Sequence, residues 1–226
     1  MTIGMIVAIR EEIDALFRTY GKPEGIDRAP GYEIYSYSIS GHRIYVAESG
    51  AGEISAASAT QYLITRYGVG LIVNFGVCGG LTNDMELHRT VVVSKAVHYD
   101  FDASPFDGSR PVQYARYPDI YIPADKKLLD LACQTEPSLK PVICASADKF
   151  IADASAKTQL HKKYAADICE MEAAGILLTA DRNNIPALLI KGVSDSVSGG
   201  ADEFAAMVHA SAEICVRVLL RILDAI

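Results

Sequence analysis

The segment Leu71-Ile72-Val73-Asn74-Phe75, closed by Gly76-Val77-Cys78-Gly79-Gly80, constrains the fold of this chain more than any other feature. A nearly unbroken apolar run of strand length suits a central strand covered on both faces, which in turn demands helices on both sides of a sheet. Neighbouring segments agree. Ile3 to Ala8 is a short apolar run leading into Arg10-Glu11-Glu12-Ile13-Asp14-Ala15-Leu16, which has helical spacing. Tyr32 to Ser38 and His42 to Glu48 are β-rich and separated by Ile39-Ser40-Gly41, the pattern of a hairpin. Ser49-Gly50-Ala51-Gly52 breaks that pattern before a helix over Ile54 to Tyr67. Further strands are expected at Thr90 to Val97, Pro141 to Ser146 and Ala187 to Val193, with helices around Cys169 to Asn183 and Asp202 to Ala225. Strands alternating with helices predict a three-layer α/β/α sandwich around a mixed, largely parallel central sheet. The irregular stretch Phe106 to Pro123 reads as a long surface loop.

Length and charge narrow the classes of function. At 226 residues the chain is expected to form one domain over residues 1–226, with 50% apolar residues to fill its core. A formal net charge of −7 opposes binding to nucleic acid or anionic membranes, both of which need clustered Lys and Arg. No apolar run approaches the ~20 residues of a membrane span, and Arg10-Glu11-Glu12 interrupts the N-terminal run before an export signal is complete. Five scattered cysteines and five dispersed histidines lack zinc-ligand spacing. The expectation is a soluble cytoplasmic protein without metal or cofactor.

Ligands of open α/β sheets bind beyond the carboxyl ends of the strands, which directs attention to polar residues just after apolar runs. Glu11 and Glu12, Ser49 to Gly52, Gly76 to Gly80, and Ser194 with Asp195 all qualify. Singly they are weak: a Glu pair in a first helical turn serves the helix dipole, and Asp195 suits a turn. Gly50-Ala51-Gly52-Glu53-Ile54-Ser55 lacks the third glycine of a dinucleotide fingerprint, and Gly76 to Gly80 lacks the Lys of a phosphate loop. Glu170-Met171-Glu172 opens an apolar helix, so one of its carboxylates has to face inward and needs a partner.

Six segments, taken in order, resemble one family. Ile6-Val7-Ala8-Ile9-Arg10-Glu11-Glu12-Ile13, Ser49-Gly50-Ala51-Gly52, Asn74 to Leu81, Ala147-Asp148-Lys149-Phe150-Ile151, Glu170-Met171-Glu172-Ala173 and Val193-Ser194-Asp195 follow the order and spacing of the 5′-methylthioadenosine/S-adenosylhomocysteine nucleosidases, in the purine nucleoside phosphorylase superfamily. The resemblance runs from Met1 to about Leu223. It implies a homodimer that hydrolyses the N-glycosidic bond of adenine nucleosides, in methionine salvage and S-adenosylhomocysteine disposal. By the same resemblance Asp195 protonates adenine N7 and Glu12 activates water, a two-carboxylate division of labour familiar from glycoside hydrolysis. The proton donor is expected to be a buried acid that holds its proton readily. Glu172 takes the ribose hydroxyls, Met171 packs on the sugar, Phe150 stacks on the purine and Ile151 offers backbone groups to its edge. Ile9, Ala51, Val77, Glu170 and Ser194 complete the substrate pocket, and Phe106 reaches it from the partner subunit. From spacing alone, Phe150 reads as a core residue and Met171 as a gap filler.

The sequence departs from the family pattern in places. Phe75 and Val77 stand where the glycine segment usually carries hydroxyl residues, Ile9 replaces Met, Ala51 and Ala103 replace larger aliphatics, and Ser196 to Asp202 is short and lacks an aromatic. Alternatives are a hydrolase of another purine nucleoside such as futalosine or a deoxyadenosine derivative, a phosphorylase, and a catalytically silent nucleoside-binding protein. Asn74 occupies the position of a phosphorylase Arg, although Arg10 and Arg43 keep a phosphate site open.

Overall fold

The computed structural model describes residues 1–226. Its strands are β1 (Thr2–Val7), β2 (Gly25–Ala29), β3 (Tyr32–Ile39), β4 (His42–Glu48), β5 (Leu71–Gly80), β6 (Thr90–His98), β7 (Ile122–Pro123), β8 (Lys140–Ser146), β9 (Ile168–Glu170) and β10 (Ala187–Asp195). Its helices are α1 (Arg10–Tyr20), α2 (Glu53–Tyr67), α3 (Ser104–Asp107), α4 (Lys126–Thr135), α5 (Ala154–Tyr164), α6 (Ala173–Arg182) and α7 (Ala201–Leu223).

All ten strands form one mixed sheet, ordered β10-β6-β8-β9-β5-β1-β4-β3-β2, with β7 on the side of β6. Because β10 also pairs with β5, the strands β5, β10, β6, β8 and β9 form a closed ring, while β1, β4, β3 and β2 extend from it as an open wing. Two apolar layers enclose the sheet. One unites Ile13 and Leu16 of α1 with Ala132 of α4 and Val216, Leu219 and Ile222 of α7; the other unites Ala56, Ala59 and Leu63 of α2 with Ile176, Leu177 and Ala180 of α6. The expected α/β/α layering is present, but parallel and antiparallel pairings are equal in number.

The β3–β4 hairpin turns through Ser40 and Gly41, both at positive φ, which matches the twist of the flanking strands. Strand β5 is longer than its apolar run suggests. Gly76 to Gly80 is not a turn but continues the strand, every residue of it buried, because β10 pairs along it as far as Gly79 and β9 takes over at Gly79 and Gly80. A second correction concerns Glu170. It ends the three-residue β9 instead of opening a helix, and α6 starts at Ala173 with Glu172 as its N-cap. The loop between Phe106 and Pro123 is largely irregular as expected, yet it buries Val112 and Tyr117.

Candidate active site

The carboxyl ends of β1, β5 and β10 open onto a cavity of about 150 Å³, lined by Ile9, Glu12, Ala51, Val77, Phe150, Met171, Glu172, Ser194 and Asp195 among others. A side cavity of about 30 Å³ adjoins it and brings in Lys149 and Ile151. A larger depression of about 570 Å³ lies elsewhere, between α4 and the end of α6. It has no cluster of buried acids. The smaller cavity is where the chemistry converges.

Glu12 lies at the third position of α1 and is 3% exposed. Its Oε2 accepts from the backbone N–H of Ala8 (3.0 Å) and Ile9 (3.2 Å), and Oε1 accepts from Val77 N (2.8 Å). A Cβ at Gly76 would stand 2.6 Å from Oε1, and one at Gly79 would stand 2.9 Å from Asp195 Oδ2, so the glycines of β5 let both carboxyls approach the strand. Burial raises the Glu12 pKa, against the charge of Lys191 and the three N–H donors. A carboxylate with a raised pKa is a stronger base for water.

Asp195 enters the cavity at a register shift between β10 and β5, after Val193; such a bulge re-aims a side chain at a strand end. The acid has a buried cation beside it. Lys157, from α5 and fully buried, donates to Asp195 Oδ2 at 2.5 Å, to Ser196 O at 2.6 Å and to Gly199 O at 3.1 Å. All three ammonium hydrogens are engaged. Oδ1 receives only the hydroxyl of Ser194 at 3.0 Å, which has a second acceptor in Cys78 O at 3.3 Å. Ser194 can therefore release Oδ1.

Glu172 is buried, with Oε1 accepting from Gly52 N at 3.1 Å and Oε2 3.9 Å from Lys191 Nζ. Its pKa is pushed up to about 7 by burial and by the charge of Glu170. Glu170 borders the cavity, but its carboxylate is turned to internal partners: Lys191 Nζ at 2.9 Å, Ser146 Oγ at 2.5 Å and the N–H groups of Glu172 and Ala173. Phe150 is 46% exposed, and its ring meets Phe204 edge-on at 5.4 Å. Phe204, in the first turn of α7, supplies an aromatic wall that the short Ser196 to Asp202 segment had led us not to expect. Phe106 lies on α3, 93% exposed, and does not reach the cavity of its own subunit.

The superfamily described as the phosphorylase superfamily matches residues 2–226. A 5′-methylthioadenosine/S-adenosylhomocysteine nucleosidase of Shewanella pealeana is 32% identical over 204 residues, spanning 88% of this chain and 87% of its own. The chain belongs to this nucleosidase family. An aminodeoxyfutalosine nucleosidase of Campylobacter jejuni is 27% identical over 99% of both chains. Helicobacter pylori futalosine hydrolase, 25% identical, superposes with a TM-score of 0.92 over 100% of this chain and 98% of its own. The H. pylori 5′-methylthioadenosine/S-adenosylhomocysteine nucleosidase, solved with a pyrrolopyrimidine-bearing pyrrolidinol, gives 0.93 at 25% identity over 100% and 99%.

Three residues of this nucleosidase-family site escaped the sequence reading: the buried Lys157 and Lys191 and the half-buried Phe204. Lys191 did carry a signal, as a lone cation inside the apolar run of β10. Lys157 carried none, since α5 is polar over most of its length and its covered face is set only by tertiary packing. The two arginines that left a phosphate site open are engaged elsewhere. Arg10 bonds to Asp14 and Tyr35 and lies near Glu48, and Arg43 pairs with Glu24 at the start of β4, the end remote from the cavity. Asn74 donates to Ile6 O within the sheet.

Proposed function

We propose that this protein hydrolyses the N-glycosidic bond of adenine nucleosides, 5′-methylthioadenosine and S-adenosylhomocysteine among them, releasing adenine and a ribose derivative. The observation that carries the reading is the convergence of Glu12 and Asp195, from separate strand ends, on one cavity that Glu172 also lines. Asp195, paired with Lys157 at Oδ2, takes up a proton from solvent at Oδ1 once Ser194 turns to Cys78 O, and delivers that proton to N7 of the leaving base. Glu12 takes the proton of the attacking water, and Glu172 accepts hydrogen bonds from the sugar diol. Phe150 and Phe204 form the wall on which the purine packs.

Water is favoured over phosphate by charge. Four carboxyl groups line the cavity, the two buried lysines beside it already serve Asp195, Glu170 and Glu172, and Lys149 of the side cavity lies 3.7 Å from Asp100, so a phosphate dianion would find no unpaired cation in the cavity wall. A second reading, cleavage of an aminodeoxyfutalosine-type nucleoside, is favoured by the end-to-end similarity to the Campylobacter protein and by the small Ala51 in the cavity wall. We further assign residues 1–226 to one domain, acting as a cytoplasmic homodimer in methionine salvage. Its five unpaired cysteines suit a reducing compartment, and no helix is long and apolar enough to cross a membrane.

The test is base release from a panel of 5′-substituted adenine nucleosides and aminodeoxyfutalosine, with and without phosphate. Free sugar at a rate indifferent to phosphate is expected, and Glu12→Gln should abolish cleavage while still binding nucleoside. A sugar 1-phosphate product would move the protein to the phosphorylases and leave Glu12 another role.

A further inference from the structure

Helix α6 begins on a ladder of side chains. The first four N–H groups of a helix lack internal partners. Here those of Glu172 and Ala173 go to Glu170 Oε2 (3.1 and 3.0 Å), that of Ala174 to Ser146 Oγ (3.1 Å), and that of Gly175 to Glu53 Oε2 (2.5 Å). Ser146 is fully buried, and its hydroxyl lies against two carboxyl oxygens at once, Glu53 Oε1 and Glu170 Oε1. A hydroxyl has one hydrogen, so both oxygens cannot accept from it, and one of the two acids must donate. Glu170 is surrounded by donors, including Lys191 and the Cys144 thiol (3.3 Å), whereas Glu53 takes part in no ion pair and has only Ser146 and Gly175 N as partners for its carboxyl.

We propose that Glu53 carries a proton in the resting enzyme and, by donating it to Ser146, acts as a positioning residue for Glu172, the sugar-binding acid. This rests on the role given to Glu172 above. The link is short on both sides: Glu53 grips the α6 N-terminus that Glu172 caps, and Gly52, next to Glu53 in the chain, donates to Glu172 Oε1. The charges around Glu53 support the assignment. Glu170 on β9, Glu172 at the head of α6, Asp148 after β8 and Tyr114 of the long loop all face it, and Lys191 on β10 is taken by Glu170 and Glu172. Burial first, and then the charge of Glu170, push the Glu53 carboxyl up to about 8, while Lys191 opposes burial at Glu170 and leaves that acid below its usual range.

Loss of the proton leaves three carboxylates around one ammonium and one hydroxyl hydrogen, and the ladder loosens. Because the folded state binds this proton more tightly than the unfolded chain does, stability also falls as pH rises from the free value of 4.5 toward about 8. Glu53→Gln keeps a donor toward Ser146 and an acceptor for Gly175 N, whereas Glu53→Ala keeps neither. The expected result is a KM for 5′-methylthioadenosine that rises above pH 8 in the wild type, stays flat in Glu53→Gln, and is raised about tenfold at pH 7 in Glu53→Ala with a smaller change in kcat. Carbon-13 NMR of carboxyl-labelled glutamate gives a readout independent of turnover: beside the Glu172 resonance titrating near pH 7, a resonance titrating near pH 8 in the wild type and absent from Glu53→Gln. No such resonance, its persistence in Glu53→Gln, or a glutamine variant as impaired as the alanine one overturns the proposal. Failure of the wild type to cleave any adenine nucleoside would remove the proposed function, and the NMR result would still decide where the proton lies.

Discussion

Asp195 and Lys157 form the closest buried ion pair beside the cavity, and neither side chain is more than 2% exposed. Two consequences separate chemistry from stability. Asp195→Asn preserves shape but removes the transferable proton, so base release should fall by roughly 10²–10⁴-fold with nucleoside binding retained. Near-normal turnover, measured by adenine release, would withdraw the assignment of Asp195 as the acid. Lys157→Met leaves Asp195 buried without its partner, at a cost of about 3–5 kcal/mol, read from the denaturant midpoint. Combining it with Asp195→Asn should recover much of that loss, and strict additivity would show that the pair is not coupled. Of these two residues only Asp195 was legible in the sequence, because a strand end followed by a polar residue is a recognisable place for a site. A lysine in a polar helix reads as a solvated one, and only the packing of α5 under the Ser196 to Gly199 segment makes Lys157 otherwise.

Elements were read well where apolar periodicity was strong and poorly where function shaped the chain. The hairpin of β3 and β4, the run of β1 into α1 and the strand β10 all follow from local pattern. The continuation of β5 through its glycines, the bulge before Asp195 and the three-residue β9 do not, since each depends on what a distant strand offers as a partner. Gly175 shows the conflict between local preference and packing. In an isolated helix, replacing it with Ala would gain about 1 kcal/mol. Here a Cβ would run into the backbone carbonyl of Glu53 and stand 2.9 Å from its Oε2, so α2 and α6 would have to part. Gly175→Ala should therefore destabilise by about 1–3 kcal/mol in chemical denaturation, the usual cost of overfilling a packed site. A gain in stability would mean that the two helices separate freely and that the ladder at the head of α6 is loose.

At the scale of the whole molecule, the ring of five strands and the adjoining β1 hold the acids at one end of the sheet, but the wall around the 5′ end of a bound nucleoside is left to other parts of the chain. Phe106 is 93% exposed on the one-turn helix α3, and Ile54, three residues after the cavity-lining Ala51, is 80% exposed. Single exposed hydrophobes are ordinary. A residue that the family resemblance places in the pocket, yet which stands outside it in one subunit, is better explained by a second copy that inserts it into its neighbour's cavity. The expected particle is thus a homodimer with two composite sites. Light scattering at assay concentration should give twice the 24.4 kDa chain mass. Phe106→Ala should raise the KM for 5′-methylthioadenosine about tenfold, as truncation of one well-packed aromatic contact does, while changing little for a nucleoside that lacks a 5′ substituent. The contrast between substrates matters, because a general loss of folding would weaken both equally. A fully active monomer, or a Phe106→Ala variant indistinguishable from wild type on both nucleosides, would assign the 5′ wall to residues of the same chain and leave the exposure of Phe106 without a role in recognition.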